Sequence, residues 1–199
     1  MKKKFGWLLI LCVFVIFSTE YTTAGGQPFT ELDPKYDRFT YTLESDRILV
    51  GVTTFVARYR EKDEYLPLEI GVANKRLNKL TLTRDSFTLI DELGNEYPLT
   101  SPEELLENYR KQSVDLRIAH IIHISRSLFG GLSSVDSNFQ PDRPGHSLVW
   151  DKVELPRTYF MIDVLYFKRP ATGIKGKKFE LRVSAPELEE PIQVRFMVE

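Results

Sequence analysis

His120, His123 and His146 are the only histidines in the chain, and two of them stand three residues apart. On a helix that spacing puts both imidazoles on one face, where a pair can chelate a metal. A full ligand set would be all three histidines, or the helical pair plus Asp136 or Asp142 from the following loop. The competing reading makes Arg117, His120, His123 and Ser127 the polar side of an amphipathic helix. A bare His-x-x-His lacks the glutamate of the zinc-protease helix. The expectation is therefore no metal and no cofactor. Ser125 and Ser127 lie near His123, as a nucleophile near a base would. No G-x-S-x-G elbow or parallel α/β pattern accompanies them, so a hydrolase ranks below a non-catalytic role. Thiol chemistry is excluded beyond residue 24, because Cys12 is the only cysteine.

Two further groupings invite a binding role. Lys168, Arg169, Lys175, Lys177 and Lys178 flank a Pro-Ala-Thr-Gly turn and could meet anionic lipid or cell-wall polymer. They equally suit a solvated turn neutralised by Glu187, Glu189 and Glu190. Aromatics are not interleaved among them, which disfavours nucleic acid. Trp150, Tyr159, Phe160, Tyr166 and Phe167 could form a carbohydrate platform, but their strand-period spacing is better explained by core packing.

The first 24 residues set the address. Lys2, Lys3 and Lys4 precede an apolar run from Phe5 to Phe17, broken only by Gly6, and Thr22-Thr23-Ala24 follows. A run of about 13 residues matches a secretory signal and falls short of the ~20 that span a bilayer. Cleavage is expected after Ala24, leaving no stable transmembrane span and placing the protein in the periplasm or outside the cell. An uncleaved anchor tethered to the inner membrane is the alternative. Cys12 follows Leu11, which is not the small residue that lipid modification needs. A cleaved chain of about 175 residues can bury roughly 70% of its unfolded surface and needs no disulfide staple. The whole chain holds 27 basic and 28 acidic residues; without Lys2, Lys3, Lys4 and Glu20 it holds 24 and 27. A net charge of −3 gives no general attraction to nucleic acid.

The elements that must position these side chains are mostly strands. Residues 25–35 read as a flexible arm, and 36–199 as a single domain. Alternation marks Phe39, Tyr41 and Leu43, then Ile48, Val50 and Val52. Phe55, Ala57 and Tyr59 continue in the opposite parity, which predicts a bulge near Thr53-Thr54. Leu66 to Val72, Leu80 with Leu82, and Phe87 with Leu89 follow. Asp91 to Asn95 is a turn, and Tyr97 opens another strand. Ser101-Pro102-Glu103-Glu104 starts a helix that should run to about Gln112. Val114, Ile118, Ile121, Ile122, Ser125, Leu128 and Phe129 mark one face of a second helix, ended by Gly130-Gly131. Residues 132–147 read as a loop, and Leu148, Trp150 and Val153 as the approach to a strand. Tyr159 to Phe167 is apolar on both parities except at Asp163, the pattern of a strand covered on both faces. Phe179 to Val183 and Ile192 to Val198 alternate with polar residues. Roughly nine or ten strands with turns between them predict a mainly β antiparallel sandwich with a helical insertion at about residues 102–130.

Residues 70–97 carry a pattern beyond periodicity: Ile70-Gly71-Val72-Ala73-Asn74, then Leu80-Thr81-Leu82, Phe87-Thr88-Leu89-Ile90-Asp91 and Gly94-Asn95-Glu96-Tyr97. This resembles the telokin-like group of immunoglobulin-like domains found in exported bacterial proteins. Val153-Glu154-Leu155-Pro156 and Val164-Leu165-Tyr166-Phe167 look like that group's next two strands, although Arg157 stands where Gly usually follows the Pro. The resemblance implies an immunoglobulin-like sandwich and leaves activity open. The resulting expectation is an exported interaction or accessory module with a protein partner in the cell envelope. Its contact surface would include Arg117, His120, His123 and Arg126 of the insertion. A small-molecule, lipid or metal binder using the insertion as a lid is the alternative.

Overall fold

The computed structural model describes residues 31–121, 127–141 and 148–199. It is mainly β, with eleven strands and two α-helices among the described residues. One sheet runs β1 (Thr40–Glu44), β2 (Ile48–Thr53), β3 (Tyr65–Asn74), β9 (Tyr159–Lys168) and β7 (Ser133–Ser134). A second runs β11 (Ile192–Met197), β10 (Lys178–Val183), β5 (Phe87–Asp91) and β6 (Glu96–Pro98). β4 (Lys79–Thr83) pairs with β8 (Lys152–Pro156). Every pairing is antiparallel except β7 with β9.

Alternating apolar side chains of all three sheets meet in one core. Val50, Leu68, Ile70 and Leu165 come from the first, Leu89, Leu181 and Phe196 from the second, and Leu82 and Leu155 from the third. The hairpin between β5 and β6 is built as its sequence suggests. Gly94 takes a positive φ of 84°. The Asp91 carboxylate accepts from Leu93 N, Asn95 N, Asn95 Nδ2 and Tyr97 Oη. Asn74, at the end of β3, donates through Nδ2 to Leu77 O and Leu155 O and accepts from Leu77 N.

Several expectations are corrected. No bulge forms at Thr53-Thr54: β2 ends at Thr53, and a 3-10 turn over Ala57–Tyr59 buries Val56 and Ala57. The parity change records a chain leaving the sheet, not an inserted residue. Of the expected arm, only residues 31–35 are described, and these are held at Asp33. Asp33 N donates to Arg195 O and Asp33 Oδ2 accepts from Arg195 N, while Tyr36 N and Thr42 N close onto Thr40 O and Pro34 O. A short strap thus covers the edges of both β1 and β11, whose unpaired backbone groups would otherwise face solvent.

The first helix, α1 (Pro102–Asn108), starts as expected, with Ser101 Oγ accepting from Glu104 N. It ends earlier, because Tyr109 turns extended to send its ring inward, and α2 (Gln112–Ile121) begins after it. The stretch 132–147 is not simply a loop: Ser133–Ser134 pairs with β9, and Phe139 is fully buried in the core. Leu148 and Trp150 are exposed, and the strand they were expected to open begins at Lys152.

Candidate functional site

β3 is buried at all ten positions because it lies inside its sheet and the insertion covers its outer face. Two anchors hold the insertion there. The first is electrostatic. Asp115, in the first turn of α2, is 0% exposed. Arg60 Nε donates to its Oδ1 at 2.7 Å, Arg60 Nη2 approaches the same oxygen at 2.7 Å, and Tyr109 Oη donates to Oδ2 at 2.7 Å. Burial pushes the Asp115 carboxyl up, opposed by the Tyr109 hydrogen bond and the Arg60 charge. Burial also opposes the Arg60 charge, but Asp115 more than offsets it. The Tyr166 hydroxyl is buried near Asp115 without a hydrogen bond of normal length, and its pKa is pushed up by burial first and by that negative charge second. Lys111 to Asp63 and Lys168 to Glu104 add ion pairs at the rim, at 2.6 and 2.7 Å.

The second anchor is steric. Phe129 lies over Gly71 of β3 and stacks on Phe160 of β9, with ring centroids 4.8 Å apart and planes 10° from parallel. A Cβ on residue 71 would stand 2.5 Å from Phe129 Cζ, so only glycine admits the ring so close.

Near α2 lies a cleft of about 180 Å³, lined by Glu69, Leu116, Ala119, His120, Ser137, Asn138, Ile162, Asp163 and Val164. Glu69 is 1% exposed. Asp163 accepts from Phe139 N and from its neighbour Val164 N, both at 2.8 Å. The residue keeps partial exposure, but its carboxyl group is enclosed closely enough that burial dominates and raises its pKa to about 7. Ser137 Oγ donates to Ile162 O, and Asn138 Nδ2 to Leu148 O. The cleft is smaller than the ~300–1,000 Å³ of small-molecule sites. Among the described residues, no three of His, Cys, Asp and Glu are grouped so as to hold a metal ion.

The apolar face of α2 turns only partly inward, in contrast to what its sequence predicts. Its buried residues are Gln112, Asp115 and Ala119. Ile118 and Leu116 are half-buried, while Val114 is exposed and Ile121 is 76% exposed. The anchor decides this rotation: Asp115 must face Arg60, and Ile121, six residues on, then points elsewhere. His120 and Arg117 are both exposed on α2, and Arg117 Nε reaches Ser113 O. His123, Arg126 and His146 lie outside the described residues, as do Ala24 and the helical continuation through Ile122 and Ser125. Sequence reasoning missed Arg60, Glu69 and Asp115 as buried charges. Asp163 alone left a trace, as the one polar residue in a strand apolar on both faces.

The basic cluster finds acids other than those expected. Lys168 meets Glu64 and Glu104, Lys177 meets Glu92, and Lys175 lies 4.0 Å from Glu61. Arg169 Nε donates to Asp63 O. Glu187 instead accepts from Thr81 N and Oγ1, and Glu189 faces Arg47. The aromatic platform does not form: Phe160, Tyr166 and Phe167 are buried.

No family model and no curated protein matches the sequence. A solved structure from Bacillus subtilis, described as a putative lipoprotein, is similar at 15% identity with a TM-score of 0.41. The match covers 78% of this chain and 38% of that one, so the chain spans about two fifths of its neighbour's length. Among the described residues, no helix is long and apolar enough to cross a membrane.

Proposed function

We propose that the chain is an exported, non-catalytic accessory protein with an immunoglobulin-like β-sandwich, and that it binds a protein partner of the cell envelope through the exposed side of α2. The single observation behind this reading is the rotation of α2. A docked helix that buries aspartate and glutamine while leaving Ile121 and Val114 in water keeps part of its apolar surface free for a partner, while Leu116 and Ile118 pack on the core. Leu148, 84% exposed, and Trp150 add apolar surface near the cleft, since Asn138 bonds the backbone of both. Arg117 and His120 supply the polar rim. Export rests on the first 24 residues, and the immunoglobulin-like assignment on the Asn74 and Asp91–Tyr97 motifs with their hydrogen bonds.

The test is paired. Ile121→Asp is expected to leave the melting temperature within about 2 °C of wild type, as an exposed substitution should. The same variant, and Arg117→Glu separately, should reduce capture of envelope partners crosslinked to the wild type. Unchanged capture by both variants sinks the reading.

A second reading, a small-ligand site, draws on Glu69, Asp163 and His120 sharing the cleft. It predicts a melting temperature that rises with an added small ligand, since a ligand of the folded state stabilises it. The accessory reading predicts no movement.

A further inference from the structure

One end of the molecule gathers exposed cations and aromatic rings. The Arg58 guanidinium sits over the rings of Phe39, Phe55 and Tyr59, at 4.9, 5.8 and 5.7 Å from their centroids. Arg38 covers the Phe39 ring at 5.2 Å. The rings touch in series, Phe39 to Phe55 at 5.0 Å and Phe55 to Tyr59 at 5.4 Å. Both arginines and Tyr59 are exposed, as is Tyr36. Among the described residues Arg38 and Arg58 make no direct ion pair, although after the Lys35 hydrogen bond both charges help hold the Glu199 carboxyl below its usual range. The acids nearby are engaged. Glu199 pairs with Lys35, Glu61 faces Lys175, and the Asp37 carboxylate accepts from Phe39 N, Thr40 N and Thr40 Oγ1.

We propose that this end, built by Arg38, Phe39, Phe55, Arg58 and Tyr59, docks on the surface of an anionic lipid bilayer. Two observations select a bilayer over other polyanions. Arginine held against aromatic faces presents its fork of donors to phosphate while the rings present apolar surface, the pairing found at headgroup level. The patch also lies where the chain enters the fold. Residues 33–36 form the strap across β1 and β11, next to Arg38, and the segment before them contains Phe5–Phe17 behind three lysines. Thirteen residues separate Phe17 from Glu31, a reach of at most ~50 Å. A membrane-directed run thus lies within the reach of that tether from this end of the fold. On release of the first 24 residues the patch would remain as a peripheral contact. The basic cluster at residues 168–178 does not serve this role, because Lys168, Lys175 and Lys177 are matched by acids.

The test uses the full chain and vesicles of phosphatidylcholine with or without 30% phosphatidylglycerol, read by co-sedimentation. The quantity is the ratio of partition coefficients between the two compositions. Arg38→Gln with Arg58→Gln should lower it about 30-fold, at ~1 kcal/mol for each cation near an anionic surface. Arg38→Lys with Arg58→Lys should retain most of it. Tyr59→Ser should weaken binding to the anionic vesicles but not to soluble polyphosphate. Lys79→Gln with Lys152→Gln, on β4 and β8, should change nothing. Melting temperatures verify that each variant is folded. Equal ratios for wild type and the arginine variant overturn the proposal. So does an equal loss from the β4–β8 variant, which would show net charge alone, or an equal effect of Tyr59→Ser on polyphosphate, which would show a soluble polyanion site.

Discussion

Gly71→Ala tests the steric anchor by the sign of its effect. In an ordinary strand interior the change relieves backbone entropy and stabilises by roughly 0.5–1 kcal/mol. Here the new Cβ would stand 2.5 and 2.6 Å from Phe129 Cζ and Cε2. The ring cannot slide outward cheaply, because it is 1% exposed and stacked on Phe160. Overpacking of this kind costs about 1–3 kcal/mol, so the balance is a net loss on the order of 1–2 kcal/mol. Phe129→Ala alone should cost about 3–5 kcal/mol, by lost burial and the cavity it leaves. In the double variant the alanine methyl enters the space the ring vacated, so the double should be less destabilised than the sum of the singles by at least ~1 kcal/mol. Urea unfolding of the four proteins, with m-values compared, measures the cycle. A Gly71→Ala protein more stable than wild type, or strict additivity, would refute the anchoring of the insertion by Phe129.

Arg60→Ala should destabilise by about 3–5 kcal/mol, because it strands the Asp115 carboxylate in a buried site, whereas Arg60→Met with Asp115→Leu should recover most of that loss in thermal melts. Phe139→Ala should cost about 3–5 kcal/mol by chemical denaturation, since the ring is fully buried and packs on Phe87 at 5.7 Å. Asp163 sets a pH dependence: its carboxyl is raised from 3.8 to about 7 in the fold, so its contribution is fully present below 3.8 and is lost as pH rises toward 7. The slope of stability against pH between 4 and 7 should therefore shift toward more positive values in Asp163→Asn, and an unchanged slope would show that the group titrates normally.

The sequence by itself determined most of the strands, because alternation reports a backbone period of two and the core side follows from residue type alone. β10 and β11 bury Phe179, Leu181, Val194 and Phe196, as their patterns require. The Asp91–Tyr97 hairpin and the Ser101 cap were also legible, since their partners lie within six residues. Tertiary structure decided what depended on distant partners. A helix offers more than one face, and α2 turned Asp115 inward because Arg60, 55 residues earlier, waited on the sheet. Glu69, between Leu68 and Ile70 on β3, is buried because the insertion covers that face. The strap at Asp33 needed Arg195, 162 residues away. Phe139 gave no periodic sign, because a single aromatic in a loop is buried only if a core opens beside it. Local periods fix which residues can be buried together; the long-range charge pair fixed which face of the insertion stayed in water.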